Sequence, residues 1–209
     1  MPTDLISADA IAVRETVRLV AGLTPADLSR PTPCDGWDLG TLLTHMTVQH
    51  RGFAAAGADP SLWEMPPGGR FPDLVRAYAA ASELVLAAFA APGLLDREFA
   101  LPEISPSRTF PGRVAIGFHL VDYVVHGWDV ATALGRPFAL PSDVLEVTLP
   151  LARAVPDGPL RLAPGAAFAP ALPVPADADP LTEILLRLGR KLPSAIPFGF
   201  EPAKIVGGS

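Results

Sequence analysis

FPGRVAIGFHLVDYVVHGWDVATALG, residues 110–135, decides how this chain is read. The stretch is apolar for most of its length and carries one long buried helix, which follows an irregular connection over Gly93–Pro111, yet it holds His119, Asp122 and His126. A helix advances about 100° per residue, so positions i, i+3 and i+7 fall within an arc of about 60° on one face. An unpaired polar group costs about 1–3 kcal/mol when desolvated. Two imidazoles and a carboxylate on one greasy stripe therefore point to something that binds them. Asp122 and His126, one turn apart, are placed to hold a single metal ion. A third ligand must come from another helix, and His45 is the candidate.

The composition supports a well-buried globular chain. Of 209 residues, 49% are hydrophobic and 18% charged, enough for one domain with a sizeable core. A formal net charge of −6 and no basic face argue against nucleic-acid binding. The single cysteine, Cys34, excludes an internal disulfide and suits a reducing compartment. The first residues have an early acid and no basic segment before an apolar run, so no signal peptide is expected. No run of about 18 uninterrupted apolar residues occurs, so no membrane span is expected and the protein reads as cytoplasmic.

Outward from the organising helix, the periodicity predicts helices over about Leu5–Leu23, Leu39–Ala56 and Pro72–Ala91. Between the first two, RPTPCDGWD has prolines that enforce extended chain and a glycine that permits a turn, with Asp38 as the N-cap. On the second helix Leu42, His45 and Gln49 share a face, whereas His50 sits about 140° from His45 and is the secondary candidate. A proline- and glycine-rich loop over 58–70 carries Trp63, and short extended pieces are expected near Glu98–Leu101. From loop length, the two aromatic-bearing loops, around Trp63 and Phe110, are expected to form the substrate mouth. Gly135-Arg136-Pro137 stops the organising helix. A shorter helix over Ser142–Val155, an extended proline-rich segment over Pro156–Pro180 and a last helix near Pro180–Leu188 follow. The expected architecture is all-α: a four-helix bundle over about 5–135 with a small helical and extended addition over about 140–190, forming one domain over 1–192. The tail, 193–209, is expected to be irregular.

Imidazole nitrogen and carboxylate oxygen suit zinc, with nickel, iron and manganese as further options. Two histidines and one carboxylate leave coordination positions open, as in catalytic rather than structural sites. A lone D-x3-H pair is more often a local hydrogen bond, and a lone core histidine more often a satisfied packing residue. Their coincidence on two helices is what raises metal binding to even terms with packing. Cys34 reads as a small packed side chain rather than a nucleophile, because no histidine lies near it in sequence. Trp37 and Trp128 read as core anchors, and Asp129 as a structural contact.

PTPCDGW followed by DLGTLLTHM, together with DYVVHGWDVATALG, resembles the DinB-like bundle superfamily. The likeness is to its mycothiol-dependent maleylpyruvate isomerase-type branch and the related actinobacterial metal-binding proteins. It covers most of the chain, from the first helix to the last. Carried over position by position, the resemblance implies His45, Asp122 and His126 as metal ligands, with His119 as a fourth ligand or a nearby base. The isomerase itself has an E-x3-H pair, so Asp122 is a shorter arm. The chain also lacks room for the isomerase's separate C-terminal α+β domain, so the resemblance carries the metal site further than the specific isomerisation.

The resemblance implies thiol chemistry: an open metal, most simply zinc, holding a low-molecular-weight thiol such as mycothiol or bacillithiol as thiolate. The thiolate would attack an electrophilic small-molecule substrate, giving a transfer product or an isomer, with His119 or Tyr123 as proton shuttle. Two readings stand side by side: a metal-dependent thiol S-transferase or isomerase, and a non-catalytic metal-binding protein in stress response or interaction. Pairing of bundles into a homodimer is compatible with either.

Overall fold

Asp4 starts the helical part of the chain. Its side chain accepts the Ser7 amide at 2.8 Å, an N-cap from which α1 runs Leu5–Val20. The computed structural model describes residues 3–55, 73–163 and 166–192. Helix α1 stops three residues short of the expected Leu23. Pro25 disfavours helical backbone at Thr24, and Thr24 instead forms a capping box with Asp27 that opens a 3-10 turn, Pro25–Ser29. Asp38 then caps α2 (Leu39–Ala55) as expected, accepting the Thr41 amide at 2.8 Å. Next come α3 (Asp73–Phe89) and α4 (Gly112–Ala133).

These four helices form an all-α bundle, α1 packing chiefly on α4 and α2 on α3. Helices α2 and α4 run antiparallel: His45 faces His126 at one level, and His50 faces His119 at another. Helix α4 is buried on nearly all sides, which is why it lacks a wet face. Leu42, Leu43, Met46, Tyr78, Leu120 and Val124 fill the centre of the main core. The loop over 58–70, with Trp63, lies outside the described residues, as does the tail 193–209.

Between α3 and α4 the expected extended piece is present: β1 (Glu98–Ala100) pairs antiparallel with β2 (Thr109–Pro111), with Phe99 opposite Phe110. The organising helix begins at Gly112, directly after the connection that ends at Pro111. The Gly112 amide donates to the Arg97 carbonyl at 2.7 Å, and a Cβ there would lie 2.0 Å from the Leu94 carbonyl oxygen. Only glycine permits this close entry into α4. Phe110 is not at a mouth. It is buried in a second core cluster with Phe53, Phe89, Phe99 and Ile116, its ring edge-on to Phe118.

The C-terminal addition packs on one side of the bundle. Helix α5 (Ser142–Ala154) lies against α1 and α4, and α6 (Pro180–Arg187) against α5. Arg153 and Arg187 both hold Glu183, pinning α6 to α5. The proline-rich connection includes a 3-10 turn, Pro159–Leu162. The buried guanidinium of Arg161 stitches it down, donating to the carbonyls of Val155, Pro156, Ala169 and Arg187. Among the described residues no helix is long and apolar enough to cross a membrane.

Candidate metal centre

The site is built where the turn before α2 meets the middle of α4. Leu39 donates its amide to the Arg30 carbonyl at 2.9 Å, closing a loop whose sharp bend is made by Gly36 at φ 75°. Inside the loop Thr32 Oγ1 donates to the Trp37 carbonyl and accepts the Cys34 amide. This fixes Cys34 and Trp37 beside the first turns of α2. The Trp37 ring lies 5.0 Å from that of His45, so Trp37 is a wall of the site as well as the anchor of the turn.

His45 from α2 and Asp122 and His126 from α4 come together, their ligand atoms all within 4.8 Å of one another. His126 Nε2 stands 3.4 Å from Asp122 Oδ1. That is long for a hydrogen bond to a carboxylate. Two ligands on a tetrahedral zinc, with bonds of about 2.0–2.1 Å, stand about 3.3–3.4 Å apart. The nitrogen and oxygen donor set and the spacing of this pair therefore fit a zinc-sized ion. His45 is half-buried and the Asp122 side chain is 22% exposed, whereas His126 is buried. The open side of the group thus lies toward His45 and Asp122.

Behind His126 lies a second, closed set of contacts. Its Nδ1 is 2.9 Å from Asp129 Oδ2, one turn further along α4. Asp129 in turn accepts from Arg190, through Nε at 3.0 Å and Nη2 at 2.9 Å. Cys34 Sγ donates to Asp129 Oδ2 at 3.2 Å, lies 3.8 Å from His126 Nδ1 and accepts from Arg190 Nη2 at 3.5 Å. Cys34, His126 and Asp129 are also close enough to be a ligand group. The Arg190 guanidinium occupies its carboxylate and opposes a second cation there, so the His45–Asp122–His126 side is the favoured seat.

The two histidines of this seat differ electrostatically. Burial, only partly offset by Asp122, holds the His45 imidazolium below its ordinary range, so His45 is neutral with a free lone pair at neutral pH. Burial is also the largest influence on His126, and it opposes charge. The Asp122 carboxylate, the hydrogen bonds to Asp129 and Cys34 and the Asp129 charge together outweigh it, raising His126 to about 10. The Asp122 charge that favours a protonated His126 would equally favour a divalent cation at this place.

The stripe read from periodicity does not act as one unit. His119 and His126 share an azimuth but are two turns apart, about 10 Å along the axis. His119 is instead fully buried among α1, α2 and α4: Nδ1 is 2.7 Å from Asp9 Oδ1, and Nε2 is 3.1 Å from His50 Nδ1. The Tyr123 ring stacks on His50 at 4.0 Å and on His119 at 4.2 Å, and its hydroxyl donates to the Met46 carbonyl. Neither His119 nor Tyr123 is exposed, and the partners of both lie in this separate network. The expected roles of fourth ligand and proton shuttle give way to a structural one. Cys34 is packed against the core as expected, and the histidine it lacks nearby in sequence reaches it from α4: His126, 92 positions away along the chain, stands 3.8 Å from its sulfur.

Burial and, secondarily, His119 keep the His50 imidazolium well below its ordinary value near 6.5. The unfolded chain takes up that proton first, so the stabilisation is complete above about pH 6.5 and declines as pH falls below it. Between pH 7.5 and 5.5 this loss opposes the gain from His126, whose raised value favours the folded state as pH falls. The test is therefore a difference: on going to pH 5.5 the urea midpoint is expected to fall more, or rise less, in the wild type than in His50→Gln.

Fold and site together define a helical bundle with a His/Asp/His group gathered between two of its helices. Residues 10–131 match the family model of the mycothiol maleylpyruvate isomerase N-terminal domain, and the chain belongs to that family. Two uncharacterized proteins of Mycobacterium tuberculosis are similar to it: MT0763 of strain CDC 1551 / Oshkosh and Rv0738 of strain ATCC 25618 / H37Rv. Each is 33% identical over 172 residues, covering 82% of this chain and 90% of the relative. Among solved structures, a histidine-to-alanine mutant of the mycothiol-dependent maleylpyruvate isomerase superposes with a TM-score of 0.57. It has 12% identity and the match covers 72% of this chain and 67% of that one, a likeness of fold.

Proposed function

We propose that this protein binds one divalent metal ion through His45, Asp122 and His126 and works on a low-molecular-weight thiol of the mycothiol type, as a thiol S-transferase or isomerase. The observation that carries the reading is the meeting of three donors from two helices, their ligand atoms all within 4.8 Å of one another. Zinc is the ion the nitrogen and oxygen donors suit best. It would supply the Lewis acidity that keeps a thiol ionised at neutral pH.

The residues themselves divide the work. His45 presents a neutral imidazole, and Asp122 brings the negative charge that favours a cation. His126 is aimed by the contact on its far nitrogen. Trp37 walls the His45 side and keeps water from that flank. Gln49, one turn after His45, donates to Glu103 and draws the 101–108 loop over this edge of α2. The Glu103 charge reaches His45 there. The thiol and its electrophile have their approach from the exposed Asp122 side. The family match supports a thiol as co-substrate, since mycothiol is in the family's name.

The test is cobalt substitution. Protein loaded with Co2+ is expected to develop a sulfur-to-cobalt absorption band when mycothiol is added. The band should persist in Cys34→Ser, which assigns the sulfur to the added thiol. A cobalt spectrum that mycothiol leaves unchanged would reject thiol chemistry and leave a protein that only binds metal.

A further inference from the structure

Arg190 comes from the C-terminal addition, beyond the residues that match the family model, yet it reaches the bundle core. It is 6% exposed. Its guanidinium grips Asp129 with Nε and Nη2, at 3.0 and 2.9 Å. Two-pronged arginine–carboxylate contacts fix orientation as well as supply energy. Asp129 is fully buried, and it also engages His126 Nδ1 at 2.9 Å and accepts from Cys34 Sγ at 3.2 Å. A hydrogen bond on one imidazole nitrogen sets which nitrogen is free to bind elsewhere. Here the free nitrogen is Nε2, the atom that faces Asp122.

Local backbone shows how the arginine is aimed. Helix α6 ends in a left-handed turn at Gly189, φ 76°, where a Cβ would lie 2.6 Å from the Ala169 carbonyl oxygen. Only glycine fits, and the turn sends Arg190 back under the helix, its amide donating to the Leu185 carbonyl at 2.9 Å. The Arg153–Glu183–Arg187 cluster and the Arg161 stitching hold that turn against the bundle.

We propose that Arg190 and Asp129 are positioning residues for the metal seat. The C-terminal addition reaches through Arg190 to Asp129, and Asp129 locks His126 with Nδ1–H toward itself and Nε2 toward Asp122 and His45. The addition is thereby a working part of the site. This inference rests on the metal-binding reading above. Carboxylates that hold a ligating histidine in this way are worth about 10–100-fold in metal affinity.

Zinc titration of the metal-stripped full chain by calorimetry tests it. Asp129→Asn is expected to weaken zinc binding by about 10–100-fold and Arg190→Gln by about 10-fold, with Arg190→Lys recovering part of the loss. Melting of each metal-free variant is read alongside, because a purely packing role lowers melting without touching zinc affinity. Wild-type affinity in Asp129→Asn with only its melting lowered would overturn the relay and leave the metal site standing. Zinc binding absent from the wild type would remove both. Should the variants fail to fold, 15N NMR of the zinc-loaded wild type decides. A protonated Nδ1 on His126 is expected, and a protonated Nε2 overturns the proposal.

Discussion

His126→Ala is expected to abolish stoichiometric zinc binding, and His45→Ala to weaken it by more than about a hundredfold. Loss of an outer contact alone costs about 10–100-fold, and these substitutions remove ligands themselves. The two are not equivalent. His126 is buried at the junction of both contact sets, between Asp122 on one nitrogen and Asp129 with Cys34 on the other. Its removal leaves two carboxylates facing an empty space, one of them still held by Arg190. His45 is half-buried, and its loss opens the seat to water while Asp122 and His126 stay in place. Calorimetric titration of both variants checks the order. Equal and undiminished zinc affinity in both would place the ion elsewhere.

Asp9→Ala carries the largest expected loss of stability. Asp9 is fully buried on α1 and accepts from His119, which continues to His50 on α2, so one polar chain ties three helices together. Removing one partner of a buried pair costs about 3–5 kcal/mol, because the other is left desolvated and unpaired. Two atoms at the ends of the chain, Asp9 Oδ2 and His50 Nε2, have no hydrogen-bond partner among the described residues. Such a partly satisfied network contributes less than its parts suggest. The double variant Asp9→Leu/His119→Leu is accordingly expected to lose less than Asp9→Ala alone. Urea unfolding measures both. A loss below about 1 kcal/mol in Asp9→Ala would show that the network is not under load.

The long helices were legible because their apolar periods are strong and their ends carry ordinary signals. Asp38 caps α2, and Gly135, at φ 63°, ends the turn after α4. The coming together of His45, Asp122 and His126 follows from a one-turn spacing on α4 and a histidine on the matching face of α2. Angular reasoning alone admitted His119 as well, since the azimuth of a residue says nothing of its height along the axis. The pairing of Phe110 and Pro111 with β1, just before α4, is a non-local contact that local pattern does not report.

Cys34, Asp129 and Arg190 were harder still. Asp129 at three residues from His126 has the spacing of a hydrogen-bonded pair, a signal that was present but outweighed by a structural reading. Arg190 lies 61 positions from Asp129 along the chain. The one local hint was Gly189 before it, a glycine at the end of an apolar helix that turns the next residue inward. Tertiary packing, not pattern, brings a buried arginine to a site, and such a contact is legible only once the helices are stacked.

The measurement that bears most directly on the central claim is a zinc titration of the metal-stripped wild-type chain at pH 7, run in two buffers of different ionisation enthalpy. With His126 raised to about 10 without metal, His126 gives up its proton as the ion takes its place. One zinc per chain is expected, with about one proton released and a gain in melting temperature. No zinc uptake and unchanged melting would contradict the account, and His45, Asp122 and His126 would then be packing residues of the bundle.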